Sequence, residues 1–133
     1  MVFFTPVLVL INRSSKYVNL LFTHLIRLIW RIRKFLSMET AKTLVHAFVT
    51  SKLDNCNALL YSLPKYKIQR LQYVLNSLAR LVTLSRKLDH ISPVLMEFHW
   101  LPVEQRVEFK ILLFTYEVVN GMAPVYLQDL LDF

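Results

Sequence analysis

A single glycine, Gly121, stands in a chain of 133 residues. Tight β-hairpins turn at residues with positive φ, most often glycine or asparagine, and a sheet of several strands needs several such turns. The scarcity of glycine therefore points to an all-α fold. The length fits one domain, and a folded chain of this size buries about 68% of the surface its unfolded form exposes. Apolar residues make up 55% of the chain. That share is slightly above the ordinary one and implies apolar surface that expects a partner.

Hydrophobic spacing predicts an irregular bundle of five or six helices. The first covers about residues 17–36. Phe22, Leu25, Ile29, Ile32 and Leu36 recur there at intervals of three and four and share one face. His24, Arg27, Arg31 and Lys34 form a basic ribbon on roughly the opposite face, and Arg33 falls at the edge of the apolar one. Ser37 is a good N-cap for a second helix over 38–52, extending at most to 61, with Glu39 in its first turn. Ala41, Leu44, Val45, Phe48 and Val49 would face inward. Residues 53–57, LDNCN, are its weak point, because Asp and Asn side chains compete for backbone hydrogen bonds. Pro64 ends that segment.

A third helix over 65–84 has the cleanest stripe: Ile68, Leu71, Leu75, Leu78 and Val82, widened by Val74 and Leu81. Gln69, Gln72, Asn76 and Arg80 line another face as a polar ribbon, suited to RNA or simply to water. Ser92 as N-cap and Pro93 at the first helical position begin a short fourth helix ending near His99. Pro102 opens a fifth over 102–120, with Val107, Ile111, Phe114 and Val118 inward. Gly121 sits where a left-handed C-terminal cap belongs. Pro124 opens a last short helix to about residue 131.

Charge is distributed unevenly. Residues 1–90 hold 14 basic and 3 acidic groups, and residues 91–133 hold 2 basic and 6 acidic. The halves attract each other, or the first faces a polyanion; a solvated basic surface is the plain alternative. The basic ribbon on the first helix suits a nucleic-acid backbone, a membrane surface or an acidic partner. The apolar run at 2–11 is too short to span a bilayer, and no basic n-region precedes it. Arg27, Arg31, Arg33 and Lys34 interrupt 17–36, so no transmembrane segment is expected. The only cysteine, Cys56, excludes an internal disulfide and a cysteine-rich zinc site. It fits a reducing, intracellular compartment, cytoplasm or nucleus, and reads as a small buried apolar residue.

Catalysis is not expected, nor is a cofactor. Metal-assisted phosphoryl transfer needs carboxylates converging on cations, whereas Asp54, Asp89, Asp129 and Asp132 are scattered. A phosphate-cradling loop needs several glycines. His24, His46, His90 and His99 lack metal-ligand spacing. The neighbours Asp89, His90 and Ser92 read as loop and cap rather than as a triad. The stretch HWLPVEQRVEFK, residues 99–110, has the densest chemistry. Its proline places His99 and Trp100 at a corner between helices, where a large aromatic plugs the gap. Glu104 and Glu108 are four apart, as are Arg106 and Lys110, so like charges sit on neighbouring turns and call for partners elsewhere. The basic half is the expected source of partners for the glutamates.

These same residues carry a family resemblance. RIRKFLS, LVHAFVTSKLDNCNALLYSLPKYKIQRLQ, ARLVT, DHISPVL and FHWLPVEQRVEFKILLFTYEVVNGMAPVYLQDLL occur in that order. Together they resemble the C-terminal region, after the polymerase palm, of jockey-like non-LTR retrotransposon reverse transcriptases, which are RNA-directed DNA polymerases of transposable elements. The resemblance covers about residues 31–131. It divides the chain into a poorly matched apolar and basic segment, 1–30, and a helical thumb-like extension, 31–133. The family commonly has tyrosine where Asn55 stands and an alanine-rich stretch around Ser77 and Leu78.

What the resemblance implies is a fragment, non-catalytic by itself. Fingers and palm, with the aromatic-x-Asp-Asp motif, are absent from these residues, and no endonuclease domain is expected ahead of them. It implies a grip on template RNA or an RNA–DNA hybrid, through Arg31, Arg33, Lys34, Lys65, Arg70, Arg80, Arg86 and Lys87, with Arg106 the weakest candidate. A helical module docking on a reverse transcriptase palm domain is one alternative. A membrane-surface protein using residues 17–36 is the other. Ser37, Pro64, Ser92, Pro93, Trp100, Pro102 and Gly121 are the expected structural positions.

Overall fold

The computed structural model of the chain describes residues 15–55 and 57–129. Among them there is no strand, and the helices form an irregular all-α bundle. In order they are α1 (Ser15–Arg33), α2 (Met38–Val45), a π-helical turn (His46–Thr50), α3 (Ser51–Asp54), a 3-10 turn (Asn57–Leu60), α4 (Lys65–Thr83), α5 (Ser92–Glu97), α6 (Val103–Val119) and α7 (Val125–Gln128). From α2 through the π-helical turn to α3 the helix is continuous, so six helices stand among the described residues, the 3-10 turn aside. The apolar run at 2–11, Cys56, Asp132 and the expected end of the last helix lie outside the described residues, as does the side chain of Phe22. Residue 30, expected to end the first segment, falls inside α1.

Helix α4 organises the bundle, touching α1, α2, α5 and α6. Its stripe of Leu71, Leu75, Leu78 and Val82 is buried, with Ala79 and Leu81 beside it. A helix packed on several sides needs an apolar surface wider than one stripe, and Ala79 and Leu81 supply the extra width. Ile29 from α1, Ala41, Val45 and Val49 from the second helix, Leu95 from α5, and Val103 and Val107 from α6 close the same core. Ser37 caps α2, its Oγ accepting from the Thr40 backbone N–H at 3.2 Å.

Three helix starts differ from expectation. Ser92 is the first helical residue of α5 rather than its cap, and Pro93 is the second rather than the first. Ile91 is the cap, and its carbonyl accepts from the Leu95 N–H at 3.1 Å. Burial of the Ile91 side chain fixes that start. Pro102 and Pro124 are the N-caps of α6 and α7 rather than their first residues, and Pro64 caps α4 in the same extended conformation. Each proline orients the chain for a helix that begins one residue later.

The second helix holds a surprise at Phe48, expected inside and found exposed. The π-helical turn adds one residue to the helical cycle. Counting by four from Val45 then reaches Val49 and Leu53, both buried. In a regular α-helix the same face would drift toward Phe48 and Lys52. The turn therefore keeps a lysine out of the core and brings Leu53 in. Its cost is Thr50, fully buried with no hydrogen-bond partner for Oγ1.

Candidate nucleic-acid interface

Sequence spacing places the basic residues of α1 on its outer face, and the structure puts Arg27, Arg31 and Lys34 there, all exposed. Trp30 lies among them and is 68% exposed. At about 100° per residue, Trp30 occupies one flank of the ribbon while Leu28 and Ile32 occupy the other. Both leucine and isoleucine are also solvent-facing. Hydrophobic spacing does not single out Trp30, because an aromatic one flank away from the stripe looks like its margin. Its signal is its position three residues after Arg27 and four before Lys34.

Arg33 behaves differently from its neighbours. It is 7% exposed. Its Nε donates to the carbonyls of Leu81 at 3.2 Å and Val82 at 3.0 Å, its Nη2 also donates to Val82, and its Nη1 donates to Leu36 at 2.8 Å. The last carbonyls of a helix have no partner within it and carry partial negative charge. Leu84, with φ of 57°, turns the chain away, and Ser85 N–H returns to the Arg80 carbonyl at 3.1 Å. The Leu81 and Val82 carbonyls are left for Arg33. This arginine is thus an internal staple that joins the C-terminal ends of α1 and α4, not a surface contact.

The staple has a geometric consequence. It brings the end of α1 beside the end of α4 and the loop that follows. A cleft of about 300 Å³ opens there, lined by Trp30, Ser77, Arg80 and Ser85 among others. Arg80 is half-buried. Its Nη2 donates to the Asp89 carbonyl at 3.4 Å, and its buried Nε has no partner. The Asp89 carboxylate accepts from the Arg86 backbone N–H at 2.7 Å, which closes the loop and leaves the side chains of Arg86 and Lys87 exposed. Asp89 therefore holds its own loop.

The structure brings Trp30 and Arg80 to one cleft, while Arg27, Arg31 and Lys34 are exposed along α1 and just past its end, and Arg86 and Lys87 on the loop after α4. Lys65 and Arg70 stand near the opposite end of α4, about 15–22 Å along its axis from Arg80 at 1.5 Å per residue. Arg70 lies there over Tyr66, 6.0 Å from the ring centre. Of the polar ribbon on α4, Gln72 is structural: its Nε2 donates to Asn76 at 2.8 Å, and its Oε1 accepts from the Val103 N–H, capping α6.

The corner at 99–110 is also structural. Trp100 is buried and meets Phe98 edge-on, ring centres 5.4 Å apart. Arg106 Nη1 donates to both oxygens of Asp54, at 2.7 and 3.0 Å, and its Nε donates to the Leu101 carbonyl at 2.7 Å. The expected pairing of Glu104 and Glu108 with the basic half does not occur at ion-pair distance. Among the described residues the ion pairs are Arg106–Asp54 and Lys42–Glu39. The tertiary pair runs the other way, from an arginine of the acidic half to an aspartate of the basic half. Both glutamates instead line an open cleft of about 680 Å³ between α4, α5 and α6.

His99 sits at this corner with φ of 55°. Its N–H reaches the Met96 carbonyl at 3.0 Å, and the Trp100 N–H reaches Leu95 at 2.8 Å, a left-handed cap to α5. Gly121 ends α6 in the same way, with φ of 67°. A residue with a Cβ is strained there by about 1 kcal/mol. His99→Gly is therefore expected to raise stability by about 1 kcal/mol in urea unfolding. A loss of stability would show that the imidazole has a role of its own.

No group of three or more His, Cys, Asp or Glu side chains that could hold a metal ion occurs among the described residues. No described helix is long and apolar enough to cross a membrane. Comparison with protein-family models, curated proteins and solved structures finds no match.

Proposed function

We propose that the chain is a non-catalytic helical RNA-binding module, in keeping with its resemblance to the thumb-like C-terminal extension of a non-LTR retrotransposon reverse transcriptase. One observation carries this reading. An exposed Trp30 flanks a ribbon of Arg27, Arg31 and Lys34 and lines a cleft together with Arg80. Cations that follow a phosphate backbone, with an aromatic ring on which a base stacks, are the common equipment of single-strand binding.

A membrane-surface role fits α1 less well. A surface helix buries one apolar face opposite its basic one. The face of α1 opposite the ribbon is already packed on α4 through Ile29 and Arg33. What remains outside is apolar on both flanks and cationic in the middle, which suits a grooved polyanion better than a planar lipid boundary.

The test is a titration of labelled single-stranded RNA, and of an RNA–DNA hybrid as competitor, across a range of salt. Each phosphate neutralised on a single strand contributes about −0.7 to the log–log slope, so four contacts give about −3. A slope near zero would remove electrostatic RNA binding from consideration.

A further inference from the structure

Helix α6 carries a second unfilled surface. Phe109, Leu112, Tyr116 and Val119 recur at intervals of three, four and three, and each is more than half exposed. They lie opposite Val103 and Val107, the residues that α6 gives to the core. Even Phe114, expected inside, is partly exposed, and Met122, Val125 and Tyr126 extend the apolar surface beyond the helix end. A helix with apolar stripes on two opposite faces is ordinarily covered on both.

The charges around this stripe indicate what covers it. Glu108 borders it and Glu104 lies one turn back. The nearby cations are engaged elsewhere: Arg106 with Asp54, and Lys110 over Phe114, 4.9 Å from the ring centre. A matching surface exists on the same chain. On α1, Leu28 and Ile32, continued by Phe35 in the next turn, form an exposed stripe with spacing four and three. It is bordered by Arg27 and Arg31, and no acidic residue occurs before Glu39. Both helices are anchored on α4 with these stripes facing solvent, so one copy cannot close them on each other. Two α6 stripes facing each other would oppose glutamates, and two α1 stripes would oppose arginines; each like-charged pairing is disfavoured.

We propose that the α6 stripe is covered by the α1 stripe of a second copy, in a head-to-tail contact. Spacings of three and four on both helices allow their side-chain ridges to interleave. Arg27 and Arg31 come to lie beside Glu104 and Glu108. Single-helix stripes fall short of the ~800 Å² per partner of a stable interface, so the association is weak and concentration-dependent. A head-to-tail contact leaves one free stripe at each end, so it extends unless its rotation closes a ring.

The experiment uses sedimentation velocity on the full chain, without nucleic acid because Arg27 and Arg31 border both surfaces. Two variants each damage one stripe: Ile32→Lys with Phe35→Lys on α1, and Leu112→Lys with Val119→Lys on α6. Wild type is expected to grow in mass through the micromolar range. Each variant alone should associate roughly tenfold more weakly or worse, as for central interface residues. Mixed together, the two should form a one-to-one dimer that grows no further, because one intact stripe of each kind remains. That rescue also shows both variants to be folded. A wild type that stays monomeric, association that survives the α1 changes, or a mixture that fails to pair would each overturn the proposal.

Discussion

Arg33→Met is expected to destabilise the chain by about 3 kcal/mol, the loss of several charge-assisted hydrogen bonds to buried carbonyls. Methionine fills the volume of the stem but donates nothing. The Leu81 and Val82 carbonyls are then left buried beside an apolar side chain. In thermal melting by circular dichroism, the loss corresponds to a fall in midpoint of about 10 °C for a domain of this size. Arg33→Lys keeps the charge but not the fork that serves three carbonyls, so it should recover only part of the loss. A methionine variant as stable as wild type would mean that the α4 end is satisfied some other way. The result also governs how RNA binding is tested. Removing Arg33 together with Arg31 and Lys34 would mix unfolding with lost contacts, so the informative set is Arg27, Arg31 and Lys34.

Trp30→Ala should weaken single-stranded RNA binding by about 30-fold, the value of one base stacked on an aromatic ring. Its salt slope should stay unchanged, because no phosphate contact is lost. Changing Arg27, Arg31 and Lys34 to alanine should do the opposite. The slope should flatten by about 2, at about 0.7 per lost phosphate contact, with a large drop in affinity at low salt. Trp30→Phe should retain most of the affinity. Tryptophan emission gives a second readout: Trp100 is buried, so quenching by RNA is expected to vanish in Trp30→Ala. Equal losses from the ring and from the charges, both in slope and in affinity, would exclude separate roles.

Much of the architecture follows from local pattern. The α4 stripe, the Ser37 cap and the left-handed Gly121 are determined by residues within a turn or two of one another, and each is found where spacing puts it. Contacts between distant segments are less visible in the sequence. Arg33 reads as a surface cation because its partners lie 48 and 49 residues away; the available hint was its place at the edge of an apolar stripe. Arg106 and Asp54 are 52 residues apart, and nothing local distinguishes their pairing from one with Glu104 or Glu108. Phe114 and Ile32 belong to apolar stripes by spacing, yet both remain partly exposed. Periodicity identifies which face of a helix is apolar, not whether the fold supplies something to cover it. The proposed interface at the α1 and α4 ends is half legible: the cations can be counted, but only the Arg33 staple brings Trp30 and Arg80 to one cleft.

The surplus residue in the turn at His46–Thr50 acts as a clocking device. Everything after it on that helix is set back by about 100° relative to a regular α-helix. Asp54 lies only four residues past the turn, and it supplies the tertiary ion pair among the described residues. Whether the basic and acidic halves of the chain are bolted together is thus decided by helix phase, which composition and charge alone do not record. A chain one residue shorter at this point would keep every charged group it has and still lose the alignment between them.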